Sequence, residues 1–489
     1  MTGTQLSRTD FEARRRLEEA LLRTRAVRGG HASAAGPAPG GVGGEGGAAG
    51  DGGPHDGAPG DGRAETRFRA SVAQEGMWQS LRGGPGSTPP LIAGGLRLSG
   101  RLDTAALEQA WNDVVARHDN LRSSLRLEDG RLTQVVASSL RVSVPVLDLP
   151  PGGLEQFTRE EVDLSFDLSA GPLARLRLLR TAPREHIAFL ILHHIIADGR
   201  ALEILVRDLG ACYLARAAGT APHLPAPVSR PADFAAAHRA LVEGPRAAEV
   251  TGYWAARLRG ARPAELPTDL PAPDEPTPYG ALLDVPLPRE VFGRLTALAR
   301  RARTTVYTLG LAAFQVTLAR ASGQRDVCVR APVSYRDATE VQDMVADFSN
   351  DVVVRTDLSG NPTFTELIAQ VAKESNRDLM HHDVPAHLLE PHLDEPGLLD
   401  RLFHVQFTAE NDIAVADRLG ELAVERVMPP MPYVARPLSL RLRHDGSDAR
   451  SLAIYSTDVF SRERVLRFVE AYHAVLAEMT LHGGRRVLG

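Results

Sequence analysis

The sequence predicts a mixed α/β protein (α+β) made of two lobes of similar construction. The chain has 489 residues, more than one hydrophobic core ordinarily organises, so a division into two lobes is expected. Segments with helical periodicity and segments with strand character occur in both halves, although no repeat is visible residue by residue. We therefore predict an N-terminal helix over residues 1–28, a tether over 29–65, a first lobe over 66–240 and a second lobe over 241–489.

The first 65 residues fall into two parts of different composition. Residues 9–27 mix apolar side chains such as Phe11, Leu17 and Leu21 with Arg and Glu, which is typical of a short amphipathic helix. Residues 29–62 are almost wholly Gly, Ala, Pro and Asp, with Val42 as the one sizeable apolar side chain. Such a segment cannot bury enough surface to offset the entropy of ordering it. We interpret the helix as a candidate docking element on a disordered tether.

The first lobe shows clear helix and strand signals. Asp103 or Thr104 is predicted to cap a helix whose one-sided apolar stripe ends near His118. Residues 173–179 alternate as a strand does, and residues 186–192 form an almost continuous apolar run that suits a buried strand. An amphipathic helix then carries Leu202, Leu205, Leu209 and Tyr213 on one face.

The second lobe repeats this mixture after two Pro-rich stretches, 221–231 and 266–278, which bracket a predicted crossing between the lobes. The predicted elements are a helix over Arg289–Ala321, strands over Asp326–Pro332 and Asn350–Thr356, a helix over Thr363–Met380, a strand over Ser451–Ser456 and a last helix over Arg462–Leu481.

Composition argues against several classes of protein. The net charge is −5, so the basic footprint of a nucleic-acid-binding protein is missing. The longest apolar run, 187–192, is far shorter than the ~20 residues that a membrane-spanning helix needs. The N-terminus does not resemble a secretory signal, and two cysteines cannot form a disulfide framework. We expect a soluble cytoplasmic protein with no nucleic-acid or membrane partner.

The densest group of reactive side chains is His193, His194, Asp198 and Gly199, in the string HHIIADG after the buried strand. Consecutive strand residues face opposite sides, so the two histidines should not share a cleft, which argues against a two-histidine metal site. One imidazole is then free for acid–base work, and the other is a buried, hydrogen-bonded prop. The alternative is that Asp198 only caps the next helix and that both histidines are ordinary polar groups at a strand end. The residues alone leave both interpretations open.

HHIIADG matches the HHxxxDG signature of the condensation domains of nonribosomal peptide synthetases, which belong to a chloramphenicol-acetyltransferase-like superfamily. From about Arg67 onward the sequence resembles this family in motif order and spacing. The other matching strings are SVAQEGMW (Ser71–Trp78), RHDNLRSSL (Arg117–Leu125), YWAARLRG (Tyr253–Gly260), VADFSNDVVVRTD (Val345–Asp357), HHDVP (His381–Pro385) and YSTDVF (Tyr455–Phe460).

The resemblance implies two chloramphenicol-acetyltransferase-like lobes in a V-shaped pseudo-dimer with a central substrate tunnel. His194 would project into the tunnel and act on a nucleophile that attacks a thioester carbonyl, with His193 beside it. Asp198 would hold the catalytic loop through an ion pair with Arg336, in the string APVSYRD. Gly199 would allow close approach of the nucleophile, and its N–H could face the developing oxyanion. His381, His382 and Asp383 would be structural rather than a metal site.

The resemblance also implies an acyltransferase that forms amide or ester bonds in the biosynthesis of antibiotics and other natural products. No adenylation, carrier or thioesterase domain fits into this length, so we expect a free-standing enzyme that receives its donor in trans on the phosphopantetheine arm of a peptidyl or acyl carrier protein. The acceptor would be a small molecule or carrier-bound. We expect no cofactor or metal bound by the chain itself. The alternatives are a CoA-dependent O- or N-acyltransferase of the same superfamily and a catalytically silent module that recruits carriers.

Overall fold

The computed structural model describes residues 65–81, 90–266, 268–274, 276–336, 338–411, 417–428, 434 and 436–489. The predicted N-terminal helix and nearly all of the tether lie outside these residues. The α-helices are α1 Val72–Ser80, α2 Thr104–Arg117, α3 Leu154–Asp163, α4 Gly199–Ala217, α5 Pro231–Val242, α6 Pro245–Arg257, α7 Arg289–Arg301, α8 Val306–Ser322, α9 Phe364–Leu379, α10 Leu398–Leu402 and α11 Arg462–Leu481.

The strands are β1 Thr66–Arg69, β2 Leu91–Ser99, β3 Ser123–Glu128, β4 Arg131–Val136, β5 Val146–Asp148, β6 Ala174–Ala182, β7 Glu185–His193, β8 Gly280–Leu287, β9 Asp326–Ser334, β10 Ser349–Asp357, β11 Val405–Asn411, β12 Arg418–Leu419, β13 Leu422–Val427, β14 Leu438–His444 and β15 Ala449–Ser456. Short 3₁₀ turns cover Asp119–Arg122, His194–Ile196, Thr339–Val341, Ala386–Leu388 and Glu390–His392.

The N-terminal half is organised around β7, which lies inside a six-stranded sheet of order β12–β13–β2–β7–β6–β5. Leu190 and Leu192 of β7 pack into the core that α2 and α4 share, whereas Ile187, Phe189 and Ile191 pack on the opposite face. Burial on both faces explains why this strand is an almost unbroken apolar run. A smaller sheet of order β1–β4–β3 completes this half.

The C-terminal half contains a second six-stranded sheet, of order β10–β9–β11–β14–β15–β8. Its core is centred on α8, which is apolar and buried over most of its length. A helix that is apolar on all sides belongs inside a core. Both halves are thus sheets covered by helices, and the predicted mixed α/β construction is confirmed.

The single helix predicted over residues 289–321 is wrong, because the structure divides it into α7 and α8. Arg303 has a φ of +52°, a conformation that ends a helix. Thr305 then caps α8, and its hydroxyl accepts a hydrogen bond from the Thr308 N–H at 3.1 Å. Residues 300–305 carry only one apolar side chain, Ala302, and the prediction did not treat this interruption as a helix end.

Two segments connect the N-terminal and C-terminal halves. Strand β13 pairs antiparallel with β2, so that residues 423–427 extend the sheet of the N-terminal half. Helix α5 contributes Phe234 to a small core shared with Tyr335 and Phe348 of the C-terminal half. Without β13, β2 would present unpaired backbone groups at the sheet edge, which explains why a distant segment covers it.

Candidate active site

The HHIIADG string forms a compact turn, which we call the histidine turn (residues 193–199). Strand β7 ends at His193, a 3₁₀ turn follows, and α4 starts at Gly199. Ile195, Ile196 and Ala197 are completely buried in the core of the N-terminal half. Their burial anchors the turn and leaves His194, before them, at the protein surface.

His193 is buried and acts as a structural partner within the turn. Its Nδ1 accepts a hydrogen bond from the Ile195 N–H at 3.1 Å, and its ring meets that of Phe166 edge to face, with centroids 6.1 Å apart. Burial, assisted by the neighbouring His194, lowers the pKa of His193 to about 4. The imidazole is therefore neutral at physiological pH, as an acceptor of a backbone N–H requires.

His194 retains about 30% of its side-chain exposure, so it is the more accessible of the two imidazoles. The two histidines differ in exposure as predicted, but the physical reason is different. His194 does not continue the strand; it opens the 3₁₀ turn, and its N–H donates to the Pro90 carbonyl at 2.6 Å. The alternation of strand faces therefore does not extend to His194.

Buried amide side chains donate hydrogen bonds to the backbone of the histidine turn and hold it in place. Gln74 donates to the Ile195 carbonyl at 3.1 Å and to Gln134 at 2.9 Å, and Asn120 donates to the Ile196 carbonyl at 3.3 Å. Gln74 lies in the SVAQEGMW string and Asn120 in RHDNLRSSL, which explains why these distant strings accompany the histidines. Neither amide was among the predicted site residues.

Asp198 and Arg336 form the predicted ion pair. The Arg336 Nε and Nη2 atoms donate to the two carboxylate oxygens at 3.0 and 2.9 Å, and the side chains are only 7% and 10% exposed. Arg336 also donates to the Val341 carbonyl at 2.7 Å. Asp198 additionally caps α4 by accepting from the Ala201 N–H at 2.8 Å. The two interpretations of Asp198, helix cap and ion-pair partner, are both correct.

Gly199 is exposed at the first turn of α4, next to His194. A Cβ atom added there would meet no other atom of the protein within 4 Å. Packing within the protein therefore does not require glycine at this position.

Asp347 also lies at the site, next to His194, although it was not among the predicted site residues. Its carboxylate is buried and lies 3.7 Å from the Nδ1 atom of His194. Burial raises the pKa of Asp347 to about 6, while the nearby imidazole opposes the rise. The available signal was a carboxylate among the apolar residues Val345, Ala346 and Phe348. The partner is too distant along the chain for spacing to indicate the contact.

The other histidine-rich segment, residues 381–385, is held by hydrogen bonds and an ion pair. Asn350 donates to the carbonyls of His382 and Val384 at 2.7 and 3.1 Å, and Arg246 pairs with Asp383 at 2.8 Å. Within the described part of the chain, no group of three or more His, Cys, Asp or Glu side chains could hold a metal ion.

None of the helices in the described residues is long and apolar enough to cross a membrane.

Comparison with known families identifies the chain. The family model described as "Condensation domain" matches residues 64–487. One of the linear gramicidin synthase proteins of Brevibacillus parabrevis is 37% identical over 435 residues, which is 86% of this chain and 8% of that protein. Phosphinothricin tripeptide synthetase PhsB of Streptomyces viridochromogenes is 32% identical over 406 residues, 80% of this chain and 34% of that protein. The chain thus spans a small part of these relatives and belongs to the condensation-domain family.

Solved structures agree with this assignment. The X-domain in its complex with OxyB from teicoplanin biosynthesis matches with a TM-score of 0.77 and 26% identity, over 86% of this chain and 95% of that one. SgcC5 protein from Streptomyces globisporus matches with a TM-score of 0.71 and 25% identity, over 86% of this chain and 100% of that one. The chain has the chloramphenicol-acetyltransferase-like fold of condensation domains, a family that forms amide bonds in nonribosomal peptide synthesis.

Proposed function

We propose that this chain is a condensation enzyme that joins an acyl or aminoacyl group, held as a thioester on a carrier protein, to an amine or alcohol acceptor. The observation that carries the proposal is the arrangement around His194. It is the one partly exposed imidazole of the histidine turn, on a support of buried hydrogen bonds, beside the exposed start of α4. Such a turn offers an acid–base group and backbone N–H donors side by side.

The proposed reaction forms a C–N or C–O bond and breaks the C–S bond of the thioester. The acceptor attacks the carbonyl carbon, and its proton passes to His194. The carbonyl oxygen becomes negative in the tetrahedral intermediate, and the N–H of Gly199 is the proposed donor to it. As the intermediate collapses, the proton leaves His194 for the departing thiolate sulfur. His193 and Asp198 hold the turn and do not touch the substrate.

The demand on His194 depends on the acceptor. An α-amine with a pKa of ~8 is already partly neutral near pH 7, so the imidazole orients it and takes a proton late. An alcohol is a far weaker acid, and its attack requires true general-base catalysis, a contribution of roughly 10²–10⁴-fold. Loss of the imidazole should therefore harm ester formation more than amide formation.

The donor carrier is proposed to be a separate protein that supplies its phosphopantetheine arm in trans. The chain itself would bind no cofactor. That the carrier acts in trans stays a prediction, and an experiment that adds the carrier as a separate protein tests it directly. The CoA thioester of the same acyl group is the natural competitor in the same assay.

The test measures transfer from acyl-loaded carriers by intact-protein mass spectrometry, with wild-type protein and the variants His194→Ala, His193→Ala and His223→Ala. We expect His194→Ala to fold normally and to lose about 10²-fold or more of the activity with an alcohol acceptor. His193→Ala should lose soluble yield, because His193 is buried. His223 is exposed and belongs to the Pro-rich stretch 221–231 rather than to the histidine turn, and its replacement is the matched control that should change neither property.

Two results would contradict the proposal. A well-folded His193→Ala variant without activity, beside an active His194→Ala variant, would reverse the roles of the two histidines. Faster turnover of the CoA thioester than of every carrier-bound form would instead indicate a CoA-dependent acyltransferase.

A further inference from the structure

The loop before β10 places a fixed carboxylate next to the histidine turn. Asp347 is buried, and its Oδ1 accepts hydrogen bonds from the N–H and the hydroxyl of Ser349 at 2.9 and 2.5 Å. The same loop is tied to the N-terminal half, because Asn120 donates to the Val345 carbonyl at 2.9 Å. The Asp347 carboxylate is therefore held in place from the C-terminal half while it faces a residue of the N-terminal half.

The group that it faces is the Nδ1 atom of His194, 3.7 Å from Oδ1. That nitrogen is buried, and among the described residues it has no hydrogen-bond partner. Unsatisfied buried nitrogens are uncommon and call for an explanation. In enzymes without bound substrate, catalytic hydrogen bonds are often longer than in the substrate complex. The separation needs to shorten by less than about 1 Å to reach hydrogen-bonding range.

A purely structural role does not account for an ionisable group here. The hydrogen bonds to Ser349 form an Asx turn at the start of β10, and Asn makes that turn equally well. A buried carboxylate is costly to ionise: burial raises the pKa of Asp347 to about 6, and the charge of Asp198 adds to the rise. The charged groups around it are His194, which favours its ionised form, and Asp198, whose own charge is compensated by Arg336.

We propose that Asp347 is a positioning residue that accepts a hydrogen bond from the Nδ1–H of His194 and thereby presents Nε2 as the base toward the acceptor. This inference rests on the proposed condensation function. When the acceptor attacks, its proton moves to Nε2, and the carboxylate stabilises the imidazolium that results. The proton then passes from Nε2 to the thiolate released by C–S cleavage. Asp347 keeps its own charge throughout and does not contact the substrate.

The first experiment measures the tautomer of His194 directly, without any substrate. The protein is labelled with ¹⁵N-histidine, the His194 signals are assigned by comparison with His194→Gln, and spectra are recorded at pH 8. We expect Nδ1–H in the wild-type protein and a shift toward Nε2–H in Asp347→Ala, because the alanine side chain cannot accept a hydrogen bond from Nδ1–H. A wild-type spectrum that shows Nε2–H would overturn the proposal even if the variant could not be purified.

The second experiment measures transfer from carrier-bound donors as a function of pH. We expect Asp347→Asn to lower kcat roughly 10²–10⁴-fold with KM changed less than about twofold. Wild-type activity should fall below about pH 6, because protonation of the Asp347 carboxylate removes the acceptor for the imidazole N–H. Asp343→Asn is the matched control, because Asp343 lies in the same loop and also pairs across to α4. It should leave kcat and the pH profile unchanged.

The two experiments separate failure of this inference from failure of the proposed function. Activity of Asp347→Asn within about threefold of wild type would refute the positioning role. A wild-type enzyme that accepts no thioester would refute condensation, while the tautomer measurement would still decide whether Asp347 orients His194.

Discussion

Two ion pairs connect α4 and its cap to the segment between β9 and β10, and they differ mainly in burial. Asp198 and Arg336 are 10% and 7% exposed and bonded through both carboxylate oxygens, whereas Arg207 and Asp343 are 51% and 63% exposed and joined by one contact of 2.7 Å. Both pairs join the same two parts of the chain. The pair next to His194 is sequestered from water, and the other is open to solvent.

The two ion pairs should contribute unequally to the geometry of the site, because only one of them is buried. Around an exposed pair, water and salt screen the attraction, and each charge is solvated well without its partner. A buried charge is not solvated by water, so each member of a buried pair needs its partner to offset the cost of burial. The position of the histidine turn relative to the C-terminal half should therefore depend on Asp198 and Arg336 and hardly at all on Arg207 and Asp343.

The largest expected effect is that of Arg336→Ala. Removing one member of a buried pair leaves the other charge stranded, which costs roughly 3–5 kcal/mol. Asp198→Ala should cost a similar amount, and the double variant should lose less than the sum of the two. Urea unfolding of all three variants measures this. Strict additivity would mean that the two side chains do not interact and would remove the basis of the comparison.

A buried carboxylate without a permanent cationic partner, Asp347, should affect stability in the opposite direction. Because its folded pKa of about 6 lies above the ordinary value of 3.8, the folded state binds more protons between these values. The favourable contribution of this group to the free energy of unfolding is therefore present at low pH, and it is lost as the pH rises through 6. The difference amounts to at most roughly 3 kcal/mol. Asp347→Asn should be as stable as wild type or more stable at pH 7.5 in urea unfolding, and the difference should shrink toward pH 4.

The helix cap can be separated from the ion pair by two substitutions of Asp198. Asn retains the capping oxygen and removes the charge, whereas Ala removes both. We expect Asp198→Ala to be about 1 kcal/mol less stable than Asp198→Asn, measured by thermal or urea unfolding. Equal stabilities would show that the hydrogen bond to the Ala201 N–H adds nothing to the ion pair.

The smallest expected effect is that of the exposed pair. Asp343→Asn and Arg207→Gln should each change stability by about 0–1 kcal/mol. Any effect should disappear in urea unfolding at about 1 M salt, where the Debye length is only about 3 Å. A loss comparable to that of Arg336→Ala would mean that exposure does not distinguish the two pairs.

Local signals in the sequence predicted a large part of the fold. The last helix, Arg462–Leu481, was predicted with both of its ends, and the structure shows that the Ser461 side chain caps its first turn. The helix at Thr104–Arg117 and strand β7 were also predicted closely. By contrast, the break between α7 and α8 depends on one residue with positive φ, which an apolar pattern does not register.

The residues of the candidate site that were predicted are those that could be matched to motifs of the family. The two histidines, Asp198, Gly199 and the partner Arg336 all lie in strings that resemble the family. Asp347 was missed because its role comes from a contact between segments that are remote in sequence, and only folding brings them together. The pairing of β13 with β2 was not predicted for the same reason, because the sequence of an edge strand does not specify which distant segment will pair with it.

The pairing of β13 with β2 has a consequence for attempts to recombine condensation domains by exchanging their halves. A chimera joined near residue 240 would place a β13 from one parent against a β2 from the other. A poor match there would leave β2 as an exposed edge that invites association between chains. An exchange that carries residues 417–428 together with the N-terminal half keeps this sheet intact, so a design that transfers both segments is the more promising one for engineering.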